Sequence, residues 1–568
     1  MKPRIILIIA TFIFLGIAEA FADPVDDLKK FFKEKDYINA RNVIHSAIAQ
    51  KPKDEDVYVL AGDVYYELAM TDSAAIMYDK AYQIESKENN IRRKLAKVYS
   101  DLGKHKEAID LINKAIKDES KNVLNYLALG QAYIKSGDLN KADLEIRKAQ
   151  RMDENLAAGW VALADLYFAQ KVYALAIDNY SKALEIEETN IDARINLASS
   201  YYNMARTEQD VDLKNEYYSQ SLNQWEIVAN KDPKNAKAFW EAGRIYYYAE
   251  LYENAARYLN KYVQLRPDHS IARYYLVESL YKINSCDALV ENANIVSKEI
   301  DSVKTRVLIW SAECLYKTQK FAESVEAFKP LAAQNLLDAD NLENLSNAYL
   351  LSGDTLTAIK SYENVIKLDK DRPMGLMRYG TLAYVMKDYP AAINYLKLRD
   401  EVVKDSLSPK MKYYLGLSYI FSENFQSAIP VFEQLLVEDP GNYFSYLYLS
   451  DSYIKTDNKE KGKELLITSI DKMTPNAKEN ENVLNNAYAK LNNIFMGEKK
   501  YNDMNKYSKA WTESVPNSSM AYFFLGLSYH GNKDQANACK NYKKAVTLDP
   551  TSELAKTAKK MISDLNCN

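Results

Sequence analysis

A block of 34 residues, Ala157 to Asn190, recurs along this chain and sets what it can fold into. Within it, Trp160, Leu163, Ala164 and Tyr167 fall at i, i+3, i+4 and i+7. After a short polar break, Ala176, Tyr180 and Ala183 resume the pattern. That spacing puts the apolar residues on one helical face, so each half predicts an amphipathic helix. Two such helices joined by a tight turn make an αα-hairpin. A lone hairpin cannot bury its apolar face and needs a copy beside it. The copies are present, because the block starts at Glu55, Asn89, Val123, Ala157 and Ile191. Small residues recur in pairs, Ala74/Ala81, Ala108/Ala115, Ala142/Ala149 and Ala176/Ala183, where they let neighbouring helices approach closely. Gly103 and Gly137 fall at the hairpin turn, where a residue without Cβ relieves backbone strain. A chain of 568 residues exceeds one compact core, but a repeat array escapes that limit because each unit contacts only its neighbours.

This pattern resembles the tetratricopeptide repeat, or TPR, over nearly all of the chain beyond its first two dozen residues. The resemblance implies an all-α, right-handed α-solenoid of about fifteen helix hairpins, closed by a C-terminal capping helix. The frame gives regular repeats over 23–190, an extended hairpin over 191–235, repeats over 236–473, a joint over 474–484, repeats over 485–550 and the capping helix over 551–568. In the extended hairpin, Leu197, Ala198 and Tyr201 are on schedule, whereas Trp225, Val228 and Pro233 arrive eleven residues late. Eleven residues are close to three helical turns, so lengthening both helices absorbs them and projects a tip around Arg206 to Asp212. Such an insertion either belongs to a binding face or is a tolerated surface addition. The polar run from Thr474 to Asn482 predicts a flexible joint, and the Lys-rich tail gives the array a polar outer end.

Residues 1–22 have the layout of a secretory signal peptide. Lys2 and Arg4 precede an apolar run from Ile5 to Ile17, and A-x-A sites end at Ala20 and Ala22. The alternative is an uncleaved anchor, for which the run is short. Export to a periplasm or envelope makes the four cysteines informative. Cys286 and Cys314 are separated by 28 residues, as are Cys539 and Cys567. The frame brings Cys539 near Cys567 and leaves Cys286 more offset from Cys314. Two disulfides and four thiols are the competing readings.

Little in the sequence points to catalysis. His45, His105, His269 and His530 lie in different repeats without a His or Cys partner at metal-ligand spacing, and H-E-x-x-H, G-x-S-x-G, P-loop and G-x-G-x-x-G motifs are absent. No cofactor or metal is expected. A net charge of −4 supplies no basic footprint for nucleic acid. Carboxylates are spread at i, i+3 and i+4 from Lys or Arg, as on a solvated helix face.

The 45 tyrosines carry more meaning. One set closes the core of each first helix, at Tyr65, Tyr99, Tyr133, Tyr167, Tyr201, Tyr246, Tyr349, Tyr419, Tyr453 and Tyr529. The TPR resemblance implies that positions 2, 5, 9 and 12 of each first helix face a concave groove. Position 12 is Tyr66, Tyr202, Tyr247, Tyr281, Tyr316 or Tyr384 in six repeats, and Phe168 or His530 in two others. Repeats seven to nine thereby place Trp240, Tyr247, Tyr274, Tyr281 and Tyr316 on one wall, beside Arg244, Glu278, Arg306 and Glu313. Aromatics with a few charges suit an extended peptide or an amphipathic helix. They also suit sugar rings, or the rings simply pack on each other. The expectation is a non-catalytic scaffold that binds protein or peptide segments within a bacterial cell-envelope assembly, in association with envelope membrane proteins. The alternative is a glycan-handling module in polysaccharide export or cell-wall metabolism.

Overall fold

The structure, a computed structural model, describes residues 23–403 and 406–567. The signal-peptide reading of residues 1–22 lies outside the described residues. Among the described residues there are thirty-one α-helices and no strand. Thirty of the helices follow two per repeat, and the last, Glu553–Asp564, stands in the capping position. The described residues fall into two compact units that divide between Ile283 and Asn284.

The regular hairpins are nearly identical in construction. In repeat five the first helix is Ala157–Ala169 and the second is Tyr173–Ile186. Between them Lys171 takes φ 61°, while the Lys171 and Val172 N–H groups donate to the carbonyls of Phe168 and Tyr167. This left-handed turn satisfies the carbonyls orphaned at the helix end. Gly103 (φ 75°) and Gly137 (φ 84°) hold the same position in their repeats, as the sequence predicts.

A second device sets the distance within each hairpin. Gly62 faces Tyr78, Gly416 faces Phe432 and Gly526 faces Tyr542 across the two helices. A Cβ built on any of the three would fall 2.6 Å from a ring atom, well inside van der Waals contact. Glycine therefore makes room for the ring, and the fully buried Ala74, Ala81, Ala176 and Ala183 do the same between other helices. Successive repeats are also tied by polar links. Tyr99 donates to Asp79 at 2.8 Å and Tyr246 to Glu226 at 2.6 Å, and Tyr453 bonds Glu433. Each tyrosine lies 20 residues after its acceptor. These are core-closing tyrosines whose hydroxyls reach back to the preceding repeat.

The extended hairpin keeps its frame by lengthening both helices. Its helices are Ile191–Thr207 and Val211–Lys231, of 17 and 21 residues, against 13 and 14 in repeat five. In the 474–484 segment, Thr474–Asn476 is a 3-10 turn and the next helix starts at Glu481, so part of the additional length is helical. Within the first unit the array comes round on itself. Lys35, in the turn of repeat one, pairs with Asp232 at 3.1 Å, and Lys234 Nζ donates to the Glu34 carbonyl at 3.0 Å.

Cys286 is joined to Cys314 and Cys539 to Cys567, with Cα–Cα separations of 5.0 and 5.6 Å. The offset expected for Cys286 and Cys314 is absent. Cys286 opens the helix Cys286–Glu299 and lies opposite the later part of the antiparallel helix Lys304–Lys317. Among the described residues, no helix is long and apolar enough to cross a membrane.

Thiol titration of the unfolded, unreduced protein should find no free thiol, and four would remove both bridges. Gly416→Ala should lower the urea unfolding midpoint, at a cost of roughly 1–3 kcal/mol. Phe432→Leu in the same chain should recover part of that loss.

Candidate functional site

Six of the nine predicted groove residues lie in the first unit and three in the second. Trp240, Arg244 and Tyr247 stand on Ala236–Tyr248, the first helix of repeat seven, and Tyr274, Glu278 and Tyr281 on Ser270–Lys282, the first helix of repeat eight. The structure brings these two helices together through Tyr275. Its ring stacks on Tyr247 with centroids 4.3 Å apart and lies parallel to Trp240 at 5.9 Å. Tyr247 also donates to Glu278 at 2.6 Å. Burial first, then the Glu278 carboxylate, pushes the Tyr247 phenol far above its usual value. Tyr275 and Tyr248 share a hydrogen bond of 2.9 Å, which raises the Tyr275 phenol to about 12. In this part of the wall the rings pack on one another. Arg306, Glu313 and Tyr316 stand on Lys304–Lys317 in the second unit. Arg306 is exposed, while Glu313 and Tyr316 are half-buried, with Tyr316 against Phe321 at 5.8 Å.

A second arrangement lies on repeats five to seven, around Arg244. Its guanidinium lies over the Tyr202 ring at 4.8 Å and near the Trp240 ring at 5.9 Å, and it pairs with Glu241. The Lys237 ammonium lies over the Trp225 ring at 5.5 Å. Arg206, Lys237, Arg244 and Glu241 line a hollow of about 650 Å³ with Phe168, Tyr202 and Trp225. Three cations thus face one carboxylate. Arg244 Nε and Trp225 Nε1 are buried within their residues' packing and make no hydrogen bond. Among the described residues, no group of His, Cys, Asp and Glu could hold a metal ion.

Reading single repeats puts Tyr202, Lys237 and Arg244 at groove positions, but not Tyr275 or Trp225. Tyr275 is one residue past a groove position, and Trp225 belongs to a second helix displaced by the insertion. The late arrival of Trp225 was the available signal.

The ninth position of the first helix carries a further polar link. Asp63 accepts from Tyr78 and from Lys94 Nζ, both at 2.5 Å. Asp165, its counterpart in repeat five, accepts from Tyr180, from Gln131 at 2.8 Å and from Asn196 at 3.3 Å. Where Asp63 has an ammonium, Asp165 has an amide. Asp165 keeps some exposed area, but protein atoms crowd its carboxylate, and this desolvation raises its pKa above the usual carboxylate range.

With the hairpins and this cluster described, the relationship to known proteins follows. A TPR repeat profile matches residues 164–204. Tetratricopeptide repeat profiles match 94–117, 125–156, 339–372 and 521–552, and also 210–285. The chain is an all-helical repeat protein, and the stretches these profiles match are tetratricopeptide repeats. A TPR repeat-containing protein of Methanocaldococcus jannaschii is 20% identical over 423 residues, spanning 69% of this chain and 70% of its own length. Hsp70-Hsp90 organizing protein 3 of Arabidopsis thaliana is 20% identical over 229 residues, spanning 40% of this chain and 39% of that protein. The crystal structure of a tetratricopeptide repeat protein from Parabacteroides merdae covers 45% of this chain and 97% of its own, at 15% identity and a TM-score of 0.32.

A raised carboxylate pKa means that the folded state favours the protonated form. The associated stability is present below the unfolded value, near 3.8, and is lost as pH rises through the higher folded value. Asp165→Asn should therefore melt above the wild type at pH 7, with the gap closing as pH falls toward 4, as followed by circular dichroism.

Proposed function

We propose that this protein is a non-catalytic scaffold that binds acidic protein segments on the groove face of repeats five to seven, within a cell-envelope assembly. Tetratricopeptide repeats are protein-interaction modules, and the cluster around Arg244 supplies the chemistry for a particular kind of partner. The carrying observation is the hollow lined by Arg206, Lys237 and Arg244 with aromatic walls. Cations seated on ring faces recognise carboxylates beside apolar groups, and mixed aromatic–arginine patches dominate binding energy at protein interfaces. The envelope setting rests on the export layout of residues 1–22. Sugar binding is less well supported, because the parallel rings of Tyr247, Tyr275 and Trp240 turn faces toward one another.

A photo-crosslinker in place of Asn203, which lines the same hollow, should capture a protein in intact cells. The captured segment, synthesised as a peptide, should bind the full chain. Arg206→Glu with Lys237→Glu should weaken that binding at least tenfold by calorimetry. An unchanged affinity would overturn the assignment.

A further inference from the structure

A cavity lies between the lengthened hairpin of repeat six and repeat seven. A regular second helix spans 14 residues. Counted back from Lys231, such a helix would begin at Tyr218, whereas this helix starts at Val211. The lengthened helix contributes Asn215, Tyr218, Ser219 and Leu222 to one side of the cavity. Tyr202 comes from the first helix of the same repeat, and Ile245, Tyr248 and Leu251 come from repeat seven. Its volume is about 460 Å³, within the range of small ligand pockets, roughly 300–1,000 Å³. Its walls are mainly aromatic and aliphatic. Tyr202 and Tyr218 meet edge to face at 5.6 Å, which leaves ring surface to line the space.

Arg244 lines both this cavity and the cationic hollow, as do Tyr202 and Tyr248. An apolar space and an anion-accepting space therefore share one wall. Glu241 occupies Nη2 of the guanidinium. A guanidinium offers five donors, so it can take a second carboxylate without releasing the first. Arg206 and Lys237 offset the charge of Glu241.

We propose that the cavity receives a large apolar side chain from the bound segment, while a neighbouring Asp or Glu of that segment pairs with Arg244. This rests on the groove reading above and specifies the motif it selects, an apolar residue adjacent to an acid. Two features independent of the charges favour it. Tyr248 and Leu251 at the mouth are exposed at 65% and 54%, and covering them would remove apolar surface from water. The added length of the second helix also contributes Asn215 to the lining, ahead of where a regular helix would begin.

The test uses an array of acetylated decapeptides in a Gly/Ser background, each carrying Phe next to Asp. Companion arrays replace Phe by Ser or Asp by Asn. The full-length chain should bind the Phe–Asp peptides at least tenfold more tightly than either companion, measured by fluorescence anisotropy. Ser219→Phe fills the cavity from its rim, and Leu222→Trp fills it from within. Each should erase the Phe preference while leaving the helical circular dichroism and melting unchanged. Ser219→Phe keeps the test open if Leu222→Trp fails to fold. Equal binding of Phe and Ser peptides would overturn the cavity assignment. If that shared affinity still fell with Lys237→Glu, the groove reading would stand alone. Absence of binding to every acidic peptide would overturn both. A concentration-dependent dimer that Ser219→Phe dissociates would assign the cavity to a second copy of this chain, and would also overturn the proposal.

Discussion

The fold rests on a close approach between two helices, made where a residue without a side chain meets a ring. Gly416 against Phe432 and Gly526 against Tyr542 set that approach, and Ala164 with Tyr180 adapts it in repeat five. Once the two helices are held at that distance, their outer faces offer a fixed surface to the next pair. Stability then accumulates by nearest-neighbour packing rather than around one centre. This tolerates an insertion well. Repeat six lengthens both helices and repeat seven returns to the frame, because the altered packing stays local to one hairpin and its neighbours.

Polar side chains add a second register. Tyr99 on Asp79, Tyr246 on Glu226 and Tyr453 on Glu433 link three repeats to the ones before them, at the same separation along the chain. The core-closing tyrosines thus act twice, through ring burial and through a hydroxyl that finds an acceptor at the edge of the core. That dual use gives tyrosine an advantage over phenylalanine in these three repeats.

Most of the architecture was legible in the sequence, because a repeated spacing reports one structure many times over. The small-residue pairs, the glycine turns and the division of the insertion between two helices all follow from counting. The candidate site was legible only in part. Tyr202 and Arg244 sit at groove positions of single repeats, so the frame finds them. The stack through Tyr275, and the sharing of Arg244 between a hollow and a cavity, depend on how one repeat is rotated against the next. Nothing within one repeat encodes that rotation. The environment of Asp165 is hidden for the same reason, since Gln131 and Asn196 come from the repeats on either side.

Repeat one touches the turn after repeat six through Lys35 with Asp232 and Lys234 with the Glu34 carbonyl. One is an ion pair at the surface, a kind that contributes about 0–1 kcal/mol, and the other is an exposed hydrogen bond to a carbonyl, whereas each hairpin interface buries continuous apolar surface. The first unit is therefore a coil whose neighbouring loops are fastened weakly and whose individual links are strong. Such an object stretches before it unfolds. A pull on its ends would part the loops first and widen the passage between them, and the small rotations needed would be shared among several intact interfaces. Raised salt would soften this spring by screening its fasteners, while leaving the links at full strength.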